Sequence, residues 1–215
     1  MLEVKGCVVA VDAMGCQTKI ARQVVEQEAD YVLALKGNQG RLHLEVQGIF
    51  EDAHQRNFQG IIHEHNQTVD GNHGRVEIRD YWTISDPEFI GYLDPQGEWE
   101  GLRSIGMVKA QRRWDGKTSI ENRYYITSLA GDAAEFGRAV RSHWGIENSV
   151  HWILDIGFRE DDCRVRSGSA AENFAVLRHI ALNLLKQEKT AKCGVKARRK
   201  KAGWDEKYLL KVLLN

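Results

Sequence analysis

Glu147 poses the first chemical question in this chain. In the run 140–158, VRSHWGIENSVHWILDIGF, a helical advance of about 100° per residue brings Val140, Glu147, Val150, Leu154 and Phe158 within roughly 80° of one direction. An ionised carboxylate aimed at a core costs several kcal/mol unless something pairs with it. Two answers are open. His143 and His151 share that face, so an imidazole can hold the carboxylate at the rim of the core. Alternatively, Glu147 sits at the rim and holds a metal. The set His143-x3-Glu147-x3-His151 is a poor zinc site, because it spans two helical turns and lacks the H-E-x-x-H arrangement.

A second carboxylate, Asp12, directly follows the apolar run 5–11, KGCVVAV. Ligands and catalytic groups gather at the carboxyl ends of strands in open α/β sheets. The plain reading of Asp12 is a turn or cap residue. Carboxylates that converge on one point bind Mg²⁺, which prefers hard oxygen ligands. Two such ions activate the attacking oxygen and stabilise the leaving oxygen in phosphodiester cleavage.

Several cations fit a phosphate partner. Lys36 and Asn38 follow the apolar run 30–35 and lie at the same sheet end as Asp12. Arg112, Arg113 and Trp114 combine charge with an aromatic, which suits a backbone contact and a stacked base; an ordinary cross-strand aromatic is the alternative. Residues 186–201 hold eight Lys or Arg against one acid, Glu188. Lys192, Lys196, Arg198, Arg199, Lys200 and Lys201 form the strongest electrostatic footprint for DNA, with a solvated linker as the rival reading. Glu160, Asp161 and Asp162 read as a solvated acidic loop salted by Arg164 and Arg166, and Asp155 could reach the edge of a site at Glu147.

The elements that must position these groups follow from periodicity. The valine-rich run 5–11 suits a parallel strand buried on both faces. Residues 17–28 carry apolar positions at helical spacing, and DYVLAL at 30–35 is a second strand, so strand, helix and strand form a βαβ unit. Residues 39–54 read as helix. From 60 to 128, β-rich stretches alternate with turns, with DGNHG and RWDGKTS as hairpin connections; this block predicts an antiparallel sheet. DPEFIGYLDPQGEWEG reads as a loop. One helix is expected from 133 to about 155, then the loop GFREDDCRVRSGS, a helix over 169–187 and a last helix over 204–214. A parallel strand at residue 5 with one visible partner leaves an open apolar edge, which suggests further strands upstream.

Composition narrows the class. With 30 Lys and Arg against 30 Asp and Glu, the chain has no net charge to draw in a polyanion, so any nucleic-acid contact must come from local patches. Four cysteines without C-x-x-C spacing argue against a zinc ribbon. They leave a disulfide open, although reduced thiols suit a chain with no secretion signal. No apolar run approaches the roughly 18–20 residues that span a bilayer.

The stretches VVAVDAMGCQTKIARQVVEQEADYVLALKGNQ, HGRVEIRDYW, YYITSL, HWGIENSVHWILDIGFREDDCRVR and AENFAVLRHIALNLL, in this order, resemble the transposases of H-repeat-associated insertion sequences, a group of DDE transposases. The resemblance covers essentially the whole chain. It implies an α/β fold: an incomplete ribonuclease H-like core with an inserted antiparallel β subdomain and C-terminal helices. The implied division is 1–58 for the second half of the core sheet, 59–130 for the β subdomain, 131–188 for the catalytic-glutamate helix and its successor, and 189–215 for the basic tail and terminal helix.

In that family three acids hold two Mg²⁺ or Mn²⁺ ions, and the resemblance assigns Asp12 to the second acid and Glu147 to the third. Around Glu147 the wider family pattern Tyr-x2-Arg-x3-Glu-x6-Lys reads Val140, His143, Glu147 and Leu154 here, so only the glutamate is kept. His143 is a candidate phosphate donor in place of the arginine. His73, Gly74 and Arg75 match a family motif without an evident mechanism. The first acid has no counterpart, since Glu3 lies on the wrong side of the first strand. The expectation is therefore the C-terminal portion of an insertion-sequence transposase, inactive alone, acting in the intact protein as a homodimer on element ends and target DNA. The rival is a non-catalytic DNA-binding or oligomerising remnant. No membrane role and a cytoplasmic, nucleoid-associated location are implied.

Overall fold

The computed structural model describes residues 3–72 and 75–214. His73 and Gly74, and the side chains of Asn72, Glu147 and Asn148, lie outside that description. The described residues form two compact units, 1–143 and 144–215.

The first unit is mixed α/β. Strand β1 (Val8–Val11) leads through a 3-10 turn (Ala13–Gly15) into helix α1 (Thr18–Glu26) and strand β2 (Asp30–Leu35). Val8 lies opposite Asp30 and Val11 opposite Leu33, so the two strands are parallel as the βαβ reading predicts. Helix α2 (Gly40–Gln55) follows, then strands β3 (His63–Asn72) and β4 (Arg75–Ile84), helix α3 (Pro87–Leu93), strands β5 (Ser104–Trp114) and β6 (Lys117–Thr127), and helix α4 (Ala133–Ile146).

The β-rich block is antiparallel, as its turn spacing predicts, and it continues the same sheet. β6 pairs antiparallel with β2, Val32 opposite Thr127, which gives the order β1-β2-β6-β5-β4-β3. The β5–β6 hairpin turns on Asp115 and Gly116, both at positive φ (48° and 70°), the conformation of a type I′ turn whose twist matches the flanking strands.

Alternation along the strands separates two layers. Tyr31, Leu33, Leu35, Ile105, Met107, Tyr124 and Ile126 join α1 and α2 in one core with Val46, Phe50 and Ala53. The opposite face takes the start of α4. Phe136 meets the rings of Tyr125 at 5.4 Å and Tyr81 at 6.4 Å. Beneath it is Gly106, where an added Cβ would overlap the Phe136 ring, so the absence of a side chain sets how closely α4 approaches the sheet.

Three expectations need correction. β1 is half-buried along its length, not buried on both faces, because among the described residues it is an edge strand paired only with β2. The segment read as a loop from Asp86 contains α3: Asp86 accepts a hydrogen bond from the Glu88 amide at 3.1 Å and Pro87 occupies the first helical turn. The helix from 133 does not run unbroken to 155. It gives way to a π-helical turn at Glu147–His151 before α5 (Trp152–Phe158).

The second unit holds that π turn, α5, α6 (Ala170–Gln187), α7 (Val195–Trp204) and α8 (Glu206–Leu213). Its core is small: Leu185, Ala191, Tyr208 and Val212, flanked by Phe158, Leu184, Val195 and Ala202. Glu188 is buried among them. It accepts from the Thr190 hydroxyl and amide, from the Tyr208 hydroxyl at 2.6 Å and from the Ala191 amide at 3.5 Å. Those bonds, the Thr190 hydroxyl first, hold its carboxyl down at about 2 against the opposing effect of burial. Arg198 closes the same knot, donating to the carbonyls of Leu185, Glu188 and Cys193. The segment expected as either a DNA footprint or a solvated linker is therefore folded around α7.

Candidate functional site

Asp12 stands where β1 ends, exposed to solvent. Its Oδ1 accepts from the amides of Met14 (3.1 Å) and Gly15 (3.3 Å), so it caps the 3-10 turn. Oδ2 has no hydrogen-bond partner among the described residues. The cap and ligand readings are thus compatible: one oxygen fixes the carboxylate's direction and the other faces water.

The turn after β2 clamps the turn after β1. Asn38 Nδ2 donates to the Ala13 carbonyl at 2.5 Å, and Gln39 Nε2 donates to Ala13 (3.2 Å) and Cys16 (2.8 Å). Asn38, expected at a phosphate, has its amide engaged in holding the Asp12 turn. Gln39 was not legible as part of this site, since a lone glutamine in a loop carries no spacing signal. Lys36, beside them, is exposed and makes no ion pair among the described residues.

Glu147 opens the π turn. Its side chain lies outside the described residues, so its pairing with His143, His151 or an ion has no geometry here. π turns inside α-helices are frequent at functional sites. His143 is half-buried in the last turn of α4. Asp155, eight residues beyond Glu147, is half-buried; burial and the adjacent Asp161 carboxylate push its carboxyl above the usual range.

As a test for divalent metal, the described residues contain no group of three or more His, Cys, Asp or Glu that could hold an ion. Asp12 offers a hard, exposed oxygen of the kind Mg²⁺ takes.

The other candidates are dispersed. Arg112 donates to Glu77 at 2.9 Å and lies 3.7 Å from Glu121. Burial opposes ionisation of Glu77, but the Arg112 hydrogen bond and the charges of Arg79, Arg112 and Arg75 hold its carboxyl below the usual range. The charge of Arg112 is therefore largely balanced within the sheet. Arg113 and Trp114 are exposed, Trp114 by 64%, and Trp114 and Lys117 line a surface cavity of about 900 Å³ at the hairpin ends. On α7, Arg198 caps carbonyls, Arg199 lies over the Phe158 ring at 5.4 Å and Lys201 over the Tyr208 ring at 4.4 Å. Lys196 and Lys200 are exposed and make no ion pair among the described residues. Among those residues no helix is long and apolar enough to cross a membrane, and all four cysteines are free thiols.

Residues 1–184 match the Transposase DDE domain, and the chain belongs to that family. Among curated proteins it is 37% identical over 219 residues to the "H repeat-associated putative transposase YhhI" of Escherichia coli strain K12, and 39% identical over 217 residues to the "Putative transposase YncI" of Escherichia coli O157:H7. It is also 38% identical over 219 residues to the "Putative protein YbfL" of strain K12. Each alignment covers 99% of this chain and 54–56% of the relative, so the chain spans about half the length of the curated relatives it matches. No solved structure matches it.

Proposed function

We propose that the chain is the part of a ribonuclease H-like DDE transposase core that carries the second and third metal-holding acids, Asp12 and Glu147, and that the intact protein cleaves insertion-sequence ends and joins them to target DNA as a homodimer. The observation that carries this reading is Asp12: a carboxylate at the end of a parallel strand, aimed by two amide bonds and with one oxygen uncommitted. The π turn at Glu147 supports it.

Two Mg²⁺ or Mn²⁺ ions, when bound, activate the attacking oxygen and stabilise the leaving one. The chain's own groups do the rest. Asp12 and Glu147 hold the ions, Asn38 and Gln39 fix the Asp12 turn, and Lys36 balances a scissile phosphate. Net positive charge in residues 144–215, with 14 Lys and Arg against 9 Asp and Glu, favours a second reading in which the chain binds DNA without cutting it.

Iron-directed cleavage tests the metal assignment without requiring turnover. Fe²⁺ with ascorbate and peroxide, exchanged into the site, is expected to cut the polypeptide beside residue 12 and beside residue 147. Asp12→Asn should abolish the cut beside residue 12 and Glu147→Gln the cut beside residue 147, and excess Mg²⁺ should compete with each. Random fragmentation, or cuts that survive both substitutions, would refute the assignment. The second reading predicts salt-dependent DNA retention that is indifferent to both substitutions.

A further inference from the structure

Helix α7 sorts its cations by face. At about 100° per residue, Val195, Arg198, Arg199 and Ala202 occupy one side. Val195 and Ala202 join the second unit's core, Arg198 caps the end of α6, and Arg199 stacks on Phe158. On the other side Lys196, Lys200 and Trp204 fall within roughly 80° of one another, each about 6 Å further along the axis. Both lysines are exposed and make no ion pair among the described residues, and Trp204 is 82% exposed. Lys192 just before the helix, and Lys207 and Lys211 on α8, are also exposed.

An indole this open to water at the end of a lysine stripe has no packing role. It is the combination that binds single-stranded nucleic acid, in which cations track the phosphates and a flat aromatic face takes an unpaired base whatever its identity. A membrane surface fits less well, because Trp204 is the one large apolar side chain on that face of α7 while Val195 and Ala202 join the core.

We propose that Lys196, Lys200 and Trp204 form a binding site for single-stranded DNA, with two successive phosphates on the lysines and an unpaired base on the indole. Resting on the transposase reading, this assigns to α7 the strand that lies frayed or displaced when an element end is opened.

Fluorescence anisotropy of a labelled dT oligonucleotide with the purified chain, over a range of salt, tests it. Trp204→Ala is expected to weaken binding about ten-fold with the salt slope unchanged, and Trp204→Phe to restore most of it. Lys196→Gln with Lys200→Gln should lower the slope of log affinity against log salt by about 1.4, the value for two single-strand phosphates. All three side chains are exposed, so unchanged circular dichroism should confirm that the variants fold. If the variants match the wild type on dT while duplex binding persists, the site is overturned and the transposase reading stands. If the chain binds neither single strand nor duplex, both fail. If Trp204→Ala loses binding to phosphatidylserine vesicles but keeps its affinity for dT, the face belongs to a membrane and the proposal is overturned.

Discussion

The carboxylates of Asp12 and Glu188 show how neighbours decide what an acid does. Asp12 has two amide donors and open water, so an asparagine can replace it as a cap with little loss. Asp12→Asn should leave the thermal midpoint within about 1 °C while removing the iron-directed cut beside residue 12, which separates ligand loss from unfolding. Glu188 is the opposite case, a buried carboxylate with Thr190, Ala191 and Tyr208 all donating to it. Its carboxyl titrates at about 2 when folded and near the ordinary carboxylate value, about 4.5, when unfolded. The stabilisation is therefore fully present above pH 4.5 and is lost as pH falls through 2. Glu188→Gln is expected to lower the thermal midpoint at pH 7, and the gap from wild type should close between pH 4.5 and 2. A constant gap would show that the charge is irrelevant. Asp12 was legible because it follows an apolar run directly. The Glu188 knot was not, because each of its partners is an ordinary loop or helix residue until the chain folds back.

At the scale of elements, the sequence predicts the type of most segments and misses where they are interrupted. The α1, β2, α2 and α6 spans follow from apolar spacing, and the Asp115-Gly116 turn from its residue types. The π turn has no such signature: a 3.6-residue wheel drawn through Glu147 assumes the continuity that the insertion breaks. Arg198 was legible only as one of a run of cations, although its place on the same wheel side as Val195 and Ala202 points inward. How α4 meets the sheet depends on Gly106. A Cβ there would overlap Phe136, and a ring sealed between α4 and the sheet has little room to move. Gly106→Ala is expected to destabilise the first unit by roughly 1–3 kcal/mol in urea unfolding. Adding Phe136→Leu should recover part of the loss, since the two positions share one contact; strict additivity would mean that α4 is placed by something else.

For the molecule as a whole, a net charge of zero conceals an uneven distribution. Residues 144–215 carry an excess of five positive charges, and the remainder an equal excess of negative ones. Each unit also has its own buried cluster, one built on the sheet and one on Leu185, Ala191, Tyr208 and Val212. Separate cores make separate cooperative units. Unfolding followed by near-ultraviolet circular dichroism and by hydrogen exchange should therefore resolve two transitions. The first unit's core exceeds the second's several-fold in buried side chains, so amides of residues 144–215 are expected to exchange at lower denaturant. The two stability variants provide the decisive comparison. Gly106→Ala should shift only the transition reported by amides in β4 to β6, and Glu188→Gln only that reported by α6 to α8. If both substitutions move a single shared transition by the same amount, the chain folds as one cooperative body.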